Sequence, residues 1–443
     1  MNKRKAILLL LSIFIIIAYT QFNGVFFDPS RLPDAEDIDG STLANIPPVS
    51  DAIKSIQGRI KQNPNDAVSY KLLGDLYIRQ ARETGDVSGY QRAEESLQQS
   101  LELLPGYGPT GSALASVYYA RHEFEEALDL AARVYESNRK NTSALLIVGD
   151  ANLSLGNYQQ AEEIYLTLEE TTSTPPVLAR LANLAELKGN SDEALKLIRR
   201  AAGETLSSGG TKENTAWYLL RVGDIYFNRG EIEESGAYYE ASLRVFDNYH
   251  LALAGLGKVR AAEGRYDEAI AYYQRAVNII PQPDFLAALG DLYMLTGQPD
   301  EAQIQFDTVE YIGKLAALNK QIYNRQLANF YSNHDLHVDE ALDLALTELE
   351  SRKDIYGYDA AAWAQYKNGN YEEAQALIEH ALALGTHDAT LYYHAGMIAL
   401  ALDNKTQARE YLDEALSINP HFSILHADEA QEILKMLQDT AVK

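Results

Sequence analysis

An all-α solenoid of stacked antiparallel helix pairs is the fold this sequence predicts, and three observations carry it. The chain of 443 residues returns to a related stretch about every 34 residues, a period typical of repeat architectures. Within each stretch apolar residues recur at spacings of three and four, giving one sticky face on each of two short helices. Glycine, proline and short polar turns fall at matching offsets, so each unit is a helical hairpin.

The clearest unit is GLGKVRAAEGRYDEAIAYYQRAVNIIP, Gly255 to Pro281. Gly264 stops the first helix, because glycine takes the left-handed cap conformation at little cost. Asp267 and Glu268 open the second, where acids complement the helix dipole. Gly257 and Ala269 are small enough for the two helices to approach closely, and Tyr273 fills the wedge between them. Pro281 ends the unit. Related stretches begin at Gly74 (GDLYIRQ), Val148 (VGDANLSLGNYQQAEEIY), Val222 (VGDIYFNRGEIEESGAYYEASL), Leu289 (LGDLYMLTGQPDEAQIQF) and Ala364 (AQYKNGNYEEAQALIEHAL).

These residues resemble the tetratricopeptide repeat (TPR) family. Laid on its pattern, the chain holds about ten units across 67–422, starting near 67, 108, 142, 175, 216, 250, 283, 321, 355 and 389. The pattern is weakest at 108, 175 and 321. RETGDVS (82–88) reads as an insertion in the first unit, and GETLSSGGTKENT (203–215) as a loose connection or seam. Residues 51–66 read as an N-terminal half-repeat helix, and 423–443 as a C-terminal capping helix and tail, the finished ends that a solenoid needs. The resemblance implies a right-handed superhelix with a concave groove lined by the first helix of each unit.

The ends of the chain carry other signals. Lys3, Arg4 and Lys5 precede the apolar run Ala6 to Tyr19. That arrangement makes 1–24 an uncleaved single-pass anchor or, alternatively, a cleaved signal peptide with a poor site at Ala18-Tyr19-Thr20. In both readings the basic flank stays cytoplasmic and the repeats lie outside, at the cell membrane or exported to the periplasm. Residues 25–50, acidic and proline-containing, read as a tether.

Composition excludes several classes. A formal net charge of −25 repels phosphate backbones and argues against nucleic acid. With no cysteine there is no disulfide, thiolate nucleophile or Cys-ligated metal. GYGPTG (106–111) matches a dinucleotide fingerprint in letters, but a helical stretch precedes it where a strand is needed and Pro109 sits inside. HEFEE (122–126) lacks the second histidine of a zinc protease helix. HDLHVDE (334–340) places His334 and His337 three apart, which reads as a solvated turn with one inserted residue rather than a metal site. Helical hairpins fill the chain, so the sequence predicts no enzyme, no cofactor and no metal.

What remains is binding. By the resemblance, Asp75, Asp150, Asp224 and Asp291 face the groove at the ninth position of their units, with Asn183 and Asn329 equivalent to them. Trp217, Phe227, Trp363 and Tyr366 also point there. The expected partner is a protein segment with basic residues, held by aspartate charges, asparagine amides and aromatic anchors. The family's basic clamp for a terminal carboxylate is not reproduced, since Asp75 stands where asparagine would serve. A second reading is an accessory subunit of an envelope or export complex that binds a glycan or small ligand on the same aromatics.

Overall fold

The computed structural model describes residues 32–41, 43, 47–318 and 324–441. The anchor or signal segment 1–24, part of the expected tether and the start of the unit at 321 lie outside the described residues. Among the described residues there are no strands, only helices. α1 (Val49–Gln62) stands alone. Ten pairs follow: α2 (Ala67–Thr84) and α3 (Ser88–Leu103); α4 (Gly108–Ala120) and α5 (Phe124–Ser137); α6 (Thr142–Ser154) and α7 (Tyr158–Thr172); α8 (Pro175–Leu187) and α9 (Ser191–Ser207); α10 (Lys212–Asn228) and α11 (Ile232–Val245). The second half continues with α12 (His250–Ala262) and α13 (Tyr266–Ile279); α14 (Pro283–Leu295) and α15 (Pro299–Leu318); α16 (Asn324–Asn333) and α17 (Val338–Ser351); α18 (Ile355–Lys367) and α19 (Tyr371–Leu382); α20 (Ala389–Ala401) and α21 (Lys405–Ile418). α22 (Ala427–Ala441) packs on α21 and closes the array.

One residue rule builds the turn inside each pair. The fifteenth residue of a unit is left-handed: Gly156, Gly189, Gly230, Gly264, Gly297 and Gly369 have φ between 72° and 80°. Three units that lack glycine there still take the conformation, at His122 (φ 63°), Asp335 (φ 53°) and Asp403 (φ 58°). Asparagine often caps the helix that follows: Asn190 and Asn404 accept from the backbone N–H three residues on. A second rule packs the pair. A Cβ on Gly149, Gly223 or Gly257 would strike Tyr165, Tyr239 or Tyr273 at 2.5–2.7 Å, so the aromatic of the second helix lies directly on the backbone of the first. Tyr165, Tyr239 and Tyr273 are buried, as are the alanines beside them at 161, 241 and 269.

The array coils back onto itself. Gly156 abuts the carbonyl of Lys353, Gly189 that of Gly385, and Gly230 that of Ile418. The turns of the third, fourth and fifth pairs therefore seat on the connections after the eighth, ninth and tenth. The Tyr158 hydroxyl accepts from Ile355 N at 2.8 Å, Thr386 Oγ1 donates to the Leu187 carbonyl, and Asn419 Nδ2 donates to the Phe227 carbonyl at 2.8 Å. Leu187 shares one apolar core with Ile355, Leu391 and Ile398, so the two coils are joined by packing as well.

Three stretches expected to be irregular are ordered. The 82–88 insertion extends α2 by a turn and ends at Gly85 (φ 70°), which meets Ile280. The expected seam at 203–215 is a tight turn between two 17-residue helices, with Thr205, Glu213 and Thr215 buried. Arg82 from the first reaches Glu213 of the second at 3.3 Å, so the two irregularities brace each other. In the stretch read as a tether, Leu32, Ala35, Ile38 and Leu43 are buried against the fifth pair, around a 3-10 turn Ala35–Asp37. The sequence disguised this because four apolar residues are spread thinly among acids.

Candidate functional site

The position-nine aspartates are largely engaged within the fold. Asp150 accepts from the Tyr165 hydroxyl at 2.8 Å and from Arg180 Nε and Nη2 at 2.9 and 2.7 Å. Asp224 accepts from the Tyr239 hydroxyl and from Arg221 Nη1, each at 2.8 Å, while Arg221 also reaches Glu186 at 2.9 Å. The tyrosine stands fifteen residues after its aspartate in both pairs. Asp75 has Leu97 in the wedge instead of a tyrosine and forms an ion pair with Lys71 one turn away on α2. Burial raises the tyrosine hydroxyls, with the neighbouring aspartate charge adding to it, so Tyr165 and Tyr239 stay protonated donors.

Asp291 is the exception. Its wedge residue is Phe306, which has no hydroxyl. His334, from the HDLH turn, fills the vacancy: Nε2 meets Asp291 Oδ1 at 2.7 Å and Nδ1 donates to the Phe330 carbonyl at 2.7 Å. His334 also rests against Phe306 and Phe330. Burial alone would lower the imidazole, but the bond to Asp291 outweighs it and holds it above its ordinary value. His334 is therefore a structural partner of Asp291 rather than a solvated turn residue. His337 points elsewhere, toward Glu310. Among the described residues no group of three or more histidines and acids could hold a metal ion.

The aromatics divide. Trp363 is 1 % exposed. It donates from Nε1 to Asn333 at 2.8 Å and stacks between Tyr366, 4.7 Å away, and His394, 4.1 Å away. That leaves Trp363 no free face as an anchor. Phe227 is buried, with Lys258 Nζ 5.8 Å from its ring. Trp217 is half-buried and lies edge-on to Tyr218; Tyr366 and Asn183 are also half-buried.

A cleft survives where the first helices of four pairs, α10, α12, α14 and α16, face the segment 420–428. It encloses about 600 Å³ and brings together Phe227, Asp291 and Asn329 of the expected groove, with Lys258, Asp284, His334 and Gln326. Pro420, Phe422 and Ile424 form the opposite wall. Asp284 is exposed to the cleft, and the surrounding protein pushes its carboxyl up while Lys258 and Arg325 pull it down. Sequence reading missed Lys258, Asp284 and the 420–428 wall. Lys258 and Asp284 lie at the ninth position of their unit and the second of the next, so the groove register could have found them. The wall comes from well over a hundred residues further along the chain than Lys258 and Asp284, and nothing local marks it.

Models described as "Tetratricopeptide repeat" match residues 112–175, 214–282, 260–313 and 360–421. A TPR repeat-containing protein of Methanocaldococcus jannaschii is 24 % identical over 276 residues, 61 % of this chain and 44 % of that protein. The protein CTR9 homolog of Arabidopsis thaliana is 25 % identical over 241 residues, 52 % of this chain and 21 % of its own length. The chain thus spans less than half of these relatives. The crystal structure of yeast Tom70 superposes with a TM-score of 0.38 at 15 % identity, over 89 % of this chain and 93 % of that one. No helix among the described residues is long and apolar enough to cross a membrane. The matched stretches together cover just over half of the sequence, and helix pairs of the same build run through the rest of the described residues: the chain belongs to the tetratricopeptide-repeat family.

Proposed function

We propose that this protein is a non-catalytic scaffold that holds a segment of a protein partner in the cleft between α12, α14, α16 and residues 420–428. The observation that carries the reading is the cleft itself. Its volume of about 600 Å³ is within the range of sites that enclose a ligand. One wall offers the apolar surface of Phe422 and Ile424, the other the polar groups of Asp284, Asn329 and Gln326. An extended segment fits such a space, with an apolar side chain against 422–424, its backbone on the amides, and a basic side chain at Asp284. The elsewhere-paired Asp150 and Asp224 are not part of this site.

The N-terminal segment supports membrane attachment in the same proposal: Lys3-Arg4-Lys5 ahead of an apolar run would leave the repeats outside the cytoplasm. The glycan reading gains nothing from Trp363, whose faces are already stacked.

The test is crosslinking capture from detergent-solubilised membranes, comparing the intact chain with Asp284→Lys/Asn329→Lys. Loss of the same specific partners from the double variant supports the cleft. Full retention of those partners refutes it and moves the interface to the convex face or the ends.

A further inference from the structure

Residues 32–41 and 43 lie on the fifth pair as a bound peptide does. The 3-10 turn Ala35–Asp37 packs on α11. Leu32, Ile38 and Leu43, at 3 %, 1 % and 8 % exposure, share one apolar core with Ile198, Tyr238 and Val245. Backbone recognition accompanies the side chains: Arg244 Nε donates to the Ile38 carbonyl at 3.1 Å, and Nη2 donates to that of Ala35 at 2.5 Å. Gly40, at φ 69°, lets the chain turn within 3.3 Å of Val245 Cα, measured from where a Cβ would stand. The segment's acids, Asp34, Glu36, Asp37 and Asp39, are exposed, and Arg244 and Arg199 lie on the surface beneath it. Arg199 stacks on Tyr238, whose hydroxyl feels the charge of Asp34.

From this we propose that the surface between α9 and α11 is a second peptide-binding site, separate from the cleft. Its resident ligand is the chain's own segment 32–43, which docks reversibly as a latch between the N-terminal segment and the array. It recognises a segment with apolar residues at the first, seventh and twelfth positions, through an arginine that reads two carbonyls. Several features distinguish this from ordinary packing. The segment forms no regular helix beyond three residues. Its buried side chains are Leu32, Ala35, Ile38 and Leu43, and the hydrogen bonds among the described residues that join it to the array run from Arg244 to two backbone carbonyls. Such a contact opens without unfolding the helices beneath it. The proposal does not depend on what the cleft holds.

A fluorescein-labelled peptide of residues 32–43, followed by polarisation against the full chain, tests it. The Ile38→Asp chain, with its own segment displaced, is expected to bind the peptide at least tenfold more tightly than the intact chain. Adding Arg244→Glu is expected to remove that gain. Equal binding by the intact and Ile38→Asp chains overturns the proposal, as does no binding by a helical Ile38→Asp chain. Hydrogen exchange on the intact chain gives an independent reading that needs no variant. The amides of Ile38 and Leu43 should exchange at least a hundredfold faster than those of α11 beneath them. Equal protection means the segment is a fixed part of the fold and sinks the latch.

Discussion

Removing the carboxylate of Asp150 discriminates an internal strut from a groove residue awaiting a partner. Asp150 is 7 % exposed and serves the Tyr165 hydroxyl and two nitrogens of Arg180. In Asp150→Ala the buried Tyr165 hydroxyl loses its acceptor, a loss of about 1–3 kcal/mol. Arg180 keeps only the Pro176 carbonyl at 3.1 Å. An uncompensated fully buried charge costs about 3–5 kcal/mol. However, the Arg180 side chain is 33 % exposed, so solvent screening reduces that to roughly 1–2 kcal/mol. The expected destabilisation is about 3 kcal/mol in all. Asp75→Ala, which breaks only a partly exposed pair with Lys71, is expected to cost about 0.5 kcal/mol. A long array does not unfold in one step, so the assay combines urea denaturation with residue-resolved hydrogen exchange over α6, α7 and α8. Arg180→Met completes a double-mutant cycle, with a coupling of roughly 1–2 kcal/mol expected. If Asp150→Ala matches Asp75→Ala within the error of the measurement, the carboxylate is a solvated groove residue and the strut argument fails.

Other positions give further outcomes. Asp403 is exposed and left-handed at a site that six units fill with glycine; Asp403→Gly should stabilise by about 0.5 kcal/mol, read as a rise in thermal midpoint. Gly189→Ala adds both backbone strain at φ 72° and a clash with the Gly385 carbonyl. It should cost about 2 kcal/mol or more and speed exchange at 385–388, whereas Gly264→Ala, in open space, should cost only about 1 kcal/mol. His250 is 2 % exposed, and burial lowers its imidazole to about 4. Its folded value lies below the unfolded one, so the unfolded chain takes up the extra proton and this contribution to stability is lost as pH falls from about 6.5 toward 4. His250→Phe removes the dependence: between pH 7 and pH 5 the stability gap should move in the variant's favour by about 2 kcal/mol, and parallel pH profiles for the two chains would contradict it.

How much of this was legible follows from where each signal sits. Helix pairs, turns and small-to-aromatic packing are local, set by residues fifteen or sixteen apart such as Gly257 and Tyr273, and the 34-residue period displays them. The fate of the position-nine aspartates was also legible, though it was overlooked. A tyrosine fifteen residues later, as after Asp150 and Asp224, consumes the carboxylate. Closure of the coil was not legible. Gly189 meeting Gly385, or Asn419 bonding Phe227, joins residues almost 200 apart, and each looks like an ordinary turn in its own unit. Trp363 misled for a related reason: its register points to the groove, but its stacking partner His394 and its acceptor Asn333 come from neighbouring units.

The position of the cleft follows from failures of the repeat. In the seventh unit Phe306 replaces the tyrosine that would have tied up Asp291. In the eighth, the turn gains a residue and has two left-handed positions, Asp335 and His337, instead of one. That extra residue accompanies the swing of His334 onto Asp291. α15 runs for 20 residues where α13 has 14. Elsewhere in the array the local rules mostly agree, as at Gly223 with Tyr239 and Gly257 with Tyr273. Departures from such agreement concentrate where a protein gives up packing for something else. Here the Asp291–His334 pair that results from them lines the cleft, which is why the proposed site is placed there rather than along the better-formed repeats.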